Sequence, residues 1–374
     1  MTGVQTCALP IFHQFDTLDA FVQEFAPTER DLIVSNRFIY DPLIAPLHLP
    51  CKCLFQEDYG SGEPTDVMVE GMLKALDGFD PARIIGIGGG TVIDICKVLA
   101  LKPFAQLDEL FDDPSKLVKA KETIILPTTC GTGSEVTNVA VFQLTRKHTK
   151  KGIAHESLYP DHAVLIPQML STLPYKFFLF SSADALIHAA ESYLSPNACV
   201  YSELFSVSAI RTILKGYKEL VQYGEEHRKA LFENFMLAGN IAGIAFGYGG
   251  TGTVHAMSYP LGGNYHVAHG ESNYQFFTAV FKAYNELQPE GKIQSFNAIV
   301  REVLELEADA DVCQALDALI GTLIPLRKLR EYGMKEEEIV TFTDSVLNEQ
   351  QRLLRNAYVP ITHEVMESIY RSRF

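Results

Sequence analysis

The sequence predicts an α/β unit with a mostly parallel sheet, followed by a unit built wholly of helices. From residue 31 to about residue 167, short runs rich in β-branched residues alternate with helix-like segments, the order of a parallel sheet covered by helices. After Pro174 strand-like alternation nearly vanishes, and residues 204–223, 227–245 and 271–284 carry apolar side chains at helical spacing. No low-complexity tract and no Pro/Gly/Ser linker separates the two halves.

In chain order, strands are expected at residues 32–34, 83–87, 123–126 and 163–166. Between the third and fourth, a hairpin is expected from residues 139–144, returning at 152–154 through a basic turn at 146–151. The first eleven residues, MTGVQTCALPI, read as foreign to the rest, and protein-like patterning starts at about Phe12. The expected division is therefore residues 1–11 as a non-native segment, 12–175 as a dinucleotide-binding α/β domain and 176–374 as a helical metal-binding domain.

Composition narrows the partners. With 374 residues, 47% hydrophobic and 21% charged, the chain has ample material for buried cores. Its 46 acidic against 31 basic residues, a formal charge of -15, give no electrostatic footprint for nucleic acid or an anionic membrane. Seven scattered cysteines form neither a disulfide framework nor a Cys-x2-Cys knuckle, which fits a reducing compartment. No run of about 18 apolar residues and no signal-peptide pattern is present, so a cytoplasmic protein is expected, with a small-molecule partner and a homodimeric or higher assembly.

Two glycine-bearing loops carry the first chemistry. Residues 84–94, IIGIGGGTVID, read as a buried strand, a triple-glycine turn and the start of a helix, where free backbone amides meet a pyrophosphate. The segment is not G-x-G-x-x-G, because Thr91 stands where the last glycine would be. Residues 127–137, PTTCGTGSEVT, follow another strand and gather hydroxyls and glycines that suit phosphate and ribose oxygens, or else cap the next element. Two such loops after neighbouring strands favour a cofactor.

The second chemistry is metal ligation. Asp184 and His188 are spaced one helical turn apart and share a face. His255 and His269 flank a stretch in which glycines and Pro260 are expected to interrupt the helix and turn the two imidazoles toward one point. One aspartate and three histidines suit Fe(II) or Zn(II) with a position left for a substrate oxygen. Each has an ordinary alternative as a helix cap or a hydrogen-bonded core histidine, and His266 competes with His269.

Taken together, GGGTVID at 88–94, PTTCGTGSEVTN at 127–138, DALIHAAESY at 184–193 and the pair His255 and His269 resemble the iron-containing (group III) alcohol dehydrogenase family, over nearly the whole chain from Phe12. The resemblance implies a divalent metal, Fe(II) or Zn(II), on Asp184, His188, His255 and His269. It implies a nicotinamide dinucleotide, NAD(H) in preference to NADP(H), at Asn36, Gly88, Gly89, Gly90, Thr91, Asp94, Thr128, Thr129, Thr132, Asn138 and Lys151. Within the family, SNRFIYDPL, RKHTKKGIA, YPLGGNYHVAHGE and REYGMKEEEI resemble members that act on a four-carbon ω-hydroxy acid. Another short-chain alcohol or diol reductase is the alternative; a dehydroquinate-synthase-like lyase fits less, because Asp184 stands where its ligand set has Glu.

Two positions depart from the family. A histidine often assigned to proton relay is replaced by Tyr259, whose phenol is intrinsically a weaker acid than an imidazolium. Asn36, followed by Arg37, stands at the end of the first expected strand, where NAD-specific relatives often carry Asp, so NADP(H) stays open. Tyr259 and His266 are the catalytic candidates, and with Asn264 they are candidates for the substrate carboxylate.

Overall fold

The computed structural model describes residues 9–374 and divides the chain between Leu173 and Pro174 into two units. Most of the segment set aside as foreign lies outside the described residues. Ile11, its last member, opens strand β1 (Ile11–Gln14) in parallel register with His162.

The first unit is a six-stranded sheet in the order β1-β8-β5-β4-β2-β3, every pairing parallel. Its centre is β2 (Asp31–Ser35), β4 (Arg83–Gly88), β5 (Glu122–Pro127) and β8 (His162–Leu165). These strands are apolar along their length rather than alternating, as required when helices cover both faces, and that is why they are legible in the sequence. The edges, β1 and β3 (Lys52–Phe55), are not among the expected strands. Each is four residues long and mostly exposed or half-buried, so neither carries a buried run for pattern to find.

Helices α1 (Leu18–Phe25), α2 (Asp66–Leu76) and α3 (Gly90–Leu99) belong to this unit. Val92, Ile93, Ile95 and Cys96 of α3 pack with Val34, Ile84 and Ile125 in one core cluster, which fixes α3 directly beyond the glycine turn of β4. The hairpin is present as β6 (Val139–Leu144) and β7 (Thr149–Ala154). Its return strand begins at Thr149 rather than residue 152, because His148 in the left-handed region (φ 50°) closes the turn early. Lys150 and Lys151 therefore belong to the strand, opposite Gln143 and Phe142.

The second unit contains helices throughout, as expected: α4 (Tyr175–Leu194), α5 (Val200–Tyr223), α6 (Phe232–Gly249), α7 (Thr253–Tyr265), α8 (His269–Leu287), α9 (Lys292–Leu304), α10 (Val312–Leu323), α11 (Glu338–Glu349) and α12 (His363–Arg373), with shorter turns between. Residues Glu225–Gly249 are long and apolar enough to cross a membrane by length and composition. Phe235, Met236, Ala238 and Ala242 of that stretch are buried in the unit, the pattern of a core helix.

One expected break falls elsewhere. Pro260 lies inside α7 without ending it, and the chain turns instead at His266, which adopts φ 54° before α8 begins at His269. Proline removes one backbone donor, but the loss is local, and the left-handed residue is what reverses the path.

At the amino ends of the central strands, Arg83 Nε and Nη2 donate to Asp31 Oδ1 and Oδ2 at 2.9 and 2.7 Å, clamping β4 to β2. Burial alone would raise the Asp31 carboxyl, but the bonds from Arg83 and Thr28 outweigh it and hold it below its ordinary range. A lowered folded-state value stabilises above about pH 4 and loses that contribution as pH falls through it. Arg83→Ala is expected to cost about 3 kcal/mol at neutral pH, because it leaves a buried carboxylate unpaired. In urea unfolding the gap from the native chain should narrow below about pH 4; a gap independent of pH would contradict the assignment.

Candidate metal centre and cofactor loops

The candidate metal centre is assembled inside the second unit from three helices. Asp184 and His188 project from consecutive turns of α4, His255 from the first turn of α7, and His269 is the first residue of α8. Their ligand atoms all lie within 4.8 Å of one another. From Asp184 Oδ1 the Nε2 atoms of His188, His255 and His269 are 3.8, 3.5 and 3.7 Å away. Ligand bonds of about 2.1 Å in a tetrahedron put neighbouring donors about 3.4 Å apart, so the observed spacing suits one cation. His266 is not part of this group.

Close backbone contact makes the convergence possible. A Cβ on Gly270 would stand 1.9 Å from the Phe180 carbonyl oxygen, so only glycine lets the start of α8 rest on α4 one turn before Asp184. The rings then pack on one another: His188 stacks between Phe246 and His255, at centroid distances of 4.3 and 4.7 Å, and His269 lies 5.4 Å from His255. Asp184, His188 and His255 are buried, while His269 keeps 39% of its side-chain surface exposed and marks the open side.

Two residues that sequence reasoning left unassigned complete the centre. Glu191 Oε2 accepts from Gly252 N at 2.8 Å and faces His255 Nδ1 at 2.7 Å, while Oε1 accepts from Val254 N at 2.6 Å. It thus satisfies the amides that open α7 and, through Nδ1–H, fixes the His255 tautomer with Nε2 toward Asp184. That buried Nε2 has no hydrogen-bond partner, the atom a cation would satisfy. Asn273 Nδ2 donates to Asp184 Oδ1 at 2.7 Å and lies 3.2 Å from His269 Nε2, one helical turn along α8. Both were available as spacing signals: Glu191 falls seven residues after Asp184 and Asn273 four after His269.

Charge in the pocket is strongly coupled. Burial opposes ionisation of Asp184, yet His188, His269 and His255 hold its carboxyl well below the ordinary carboxylate range. Burial likewise opposes charge on His255, but Asp184 and Glu191 raise it to about 9.

In the first unit, the glycine turn and the threonine loop lie side by side. Thr128 N donates to the Gly88 carbonyl at 3.0 Å. Side chains built on Gly89 and Gly90 would meet Thr129 Cγ2 at 3.3 Å and Thr132 Cγ2 at 3.1 Å, so the glycines make room for the threonines. The amino end of α3 has no side-chain cap, and Thr129 Oγ1 is buried without a hydrogen-bond partner, both consistent with a phosphate-bearing ligand. Thr91 Oγ1 donates to the Gly62 carbonyl at 3.1 Å, and the Asn138 carbonyl accepts from His155 N at 3.1 Å. Lys151 is exposed on β7.

Asp94 has an internal role: its oxygens accept from Ser134 Oγ at 2.6 Å and Val141 N at 2.9 Å, which fastens α3 to the threonine loop and to β6. Beside it the buried Lys97, lowered to about 8 chiefly by burial, donates to Ser134 Oγ at 2.7 Å and the Val139 carbonyl at 2.6 Å.

A parallel α/β unit ending in paired glycine and threonine loops, joined in one chain to a helical unit with a carboxylate and three imidazoles, defines the class of metal-dependent dehydrogenases. Family models for iron-containing alcohol dehydrogenase and for the C-terminal part of the Fe-containing alcohol dehydrogenase family match residues 11–167 and 178–374. The chain belongs to the iron-containing alcohol dehydrogenase family. It is 48% identical over 365 residues to 4-hydroxybutyrate dehydrogenase of Clostridium kluyveri, covering 98% of each chain. It is 32% identical over 356 residues to long-chain-alcohol dehydrogenase 1 of Geobacillus thermodenitrificans, covering 90% of this chain and 88% of the other. Among solved structures, sulfoacetaldehyde reductase from Bifidobacterium kashiwanohense in complex with NAD+ superposes with a TM-score of 0.83 at 22% identity, covering 98% of this chain and 97% of that one.

Because a cation at His255 Nε2 must displace the proton that the raised value retains, metal affinity is expected to climb with pH and level off near 9. Glu191→Gln should weaken binding about 10- to 100-fold and move the plateau to lower pH, read by chelator competition across the range. An unchanged affinity and an unchanged pH profile would remove Glu191 from its positioning role.

Proposed function

We propose that this chain is a metal-dependent, NAD(H)-linked alcohol dehydrogenase that interconverts 4-hydroxybutyrate and succinate semialdehyde, with Asp184, His188, His255 and His269 as the metal ligands. The observation that carries the reading is the convergence of those four donors within 4.8 Å, with a buried His255 Nε2 that makes no hydrogen bond and faces Asp184 Oδ1 at 3.5 Å. The substrate follows from the relative that is 48% identical across 98% of the chain and is named for 4-hydroxybutyrate.

When bound, a divalent metal supplies Lewis-acid polarisation of an alcohol or carbonyl oxygen, and a nicotinamide supplies or accepts a hydride at C4. In the reducing direction the aldehyde carbon gains a hydride and its oxygen a proton; in the oxidising direction both leave the alcohol.

Asp184 cancels only part of a divalent charge, and the three imidazoles, neutral when ligating, cancel none. A cation held by this set would therefore keep a net positive charge and favour a substrate oxygen with developing negative charge. Asn273 restrains the carboxylate, and Glu191 restrains His255. In the first unit the Gly88, Gly89 and Gly90 turn, Thr128, Thr129 and Thr132 would hold the dinucleotide, with Thr91, Asn138 and Lys151 as further candidate contacts. Asp94 positions the threonine loop from beneath.

Tyr259, whose ring lies 6.3 Å from that of His269, moves the proton to or from the substrate oxygen. His266 and Asn264, both exposed where α7 gives way to α8, bind the substrate carboxylate.

Protein loaded anaerobically with Fe(II) or Zn(II) is expected to oxidise NADH with succinate semialdehyde and to lose activity on chelation or in Asp184→Asn. His266→Ala should raise KM for succinate semialdehyde about tenfold, while leaving KM for butyraldehyde, which has no carboxylate, nearly unchanged. Full activity in chelated protein would refute the metal-dependent reading; equal effects on both aldehydes would remove His266 from the carboxylate site.

A further inference from the structure

The end of the strand beside the glycine turn is where a dinucleotide fold selects its cofactor. A carboxylate there bonds the adenosine ribose hydroxyls and repels a 2'-phosphate, and a free arginine does the reverse. By residue type alone, Asn36 and Arg37 point to the phosphorylated cofactor. Their surroundings reverse that reading.

Parallel register sets Ser35 of β2 beside Ile87 of β4 on one side and Phe55 of β3 on the other. Ser35 Oγ donates to the Ile87 carbonyl at 2.7 Å, which locks the level. Gly88, Asn36 and Gln56 therefore follow at one height along the carboxyl edge of the sheet. Asn36 is buried, and its Nδ2 donates to Gln56 Oε1 at 2.8 Å and Glu57 Oε2 at 2.9 Å. Glu57 Oε1 accepts from the Arg37 backbone N–H at 2.5 Å. The Arg37 guanidinium is already engaged: Nη2 bonds Asp58 Oδ2 at 2.5 Å, and the group lies 4.1 Å over the Phe55 ring.

We infer that Glu57, delivered from the end of β3 and held by Asn36 and the Arg37 amide, is the specificity-determining carboxylate, and that Asp58 withholds Arg37 from a 2'-phosphate, so that the chain selects NAD(H) over NADP(H). Two carboxylates and one paired cation thus stand at the carboxyl edge of β2 and β3, where a ribose would approach. The carboxylate absent from the end of β2 is restored by its neighbour in space, which one-strand motif reading does not find. The inference rests on the reading of the first unit as a dinucleotide site.

Equilibrium titration with NADH and NADPH, followed by the fluorescence of the reduced nicotinamide, tests it without turnover. The native protein should bind NADH at least about tenfold more tightly than NADPH, given the cost of placing like charges together. Glu57→Gln should shrink that ratio about tenfold, mainly by tightening NADPH. Asp58→Asn, which frees Arg37, should act in the same direction. Both side chains are exposed, so thermal melts should match the native protein and exclude misfolding as the cause. Equal native affinities, or a ratio unmoved within about twofold in both variants, would overturn the inference and leave the dehydrogenase reading standing. Native protein that binds neither dinucleotide would overturn both.

Discussion

Contact between α8 and α4 at Gly270, where there is no room for even a methyl group, is the constraint on which the metal centre depends. It brings His269 beside Asp184 although 84 residues lie between Asp184 and His269 in the chain. The second fastening is Glu191, which meets the first amides of α7 and the far nitrogen of His255 with one carboxylate. A helix whose opening amides are answered by a side chain of another helix cannot rotate without breaking several bonds at once. The three imidazoles are thereby presented in fixed orientations, and the accumulation of charge around a buried carboxylate is what a divalent ion relieves.

The first unit uses a different economy of positions. Its sheet is anchored at one end by Arg83 and Asp31 and at the other by loops that hold each other in place. The buried pair Asp94 and Lys97 sits beneath those loops, bonded to Ser134 and the backbone of β6, so that α3, the threonine loop and the hairpin move as one. Glycine at 89 and 90 serves the fit between two protein segments as well as the approach of a ligand. Asp94 and Lys97, which fasten those loops from within, come from one helix and their partners from another stretch of chain, a linkage that a motif written along one strand of text does not reveal.

How far the sequence discloses this follows the physics of each element. Buried strands such as β2 and β5 are apolar over their full length and are visible; the edge strands β1 and β3 are not, because half-exposed four-residue strands bury too little to leave a pattern. The candidate ligands Asp184 and His188 are legible from spacing on one helix. The choice between His266 and His269 is not, because it turns on a left-handed residue that ends α7, six residues beyond the proline that draws the eye. Glu191 and Asn273 lie at helical spacing from ligands yet look like ordinary polar residues until the helices are packed. Asn36 reads one way by type and another by its partners, Gln56 and Glu57, which come from a different strand.

A single cation held by one carboxylate and three imidazoles is what the proposed chemistry requires of this chain. X-ray absorption at the metal edge of protein loaded with one equivalent of Zn(II), with anomalous diffraction to locate it, tests that claim without reference to turnover. The account predicts one ion per chain, with three imidazole nitrogens and one carboxylate oxygen at about 2.1 Å, located among Asp184, His188, His255 and His269. An ion found at His266 in place of His269, or bound elsewhere with this quartet left out of its coordination, would contradict it.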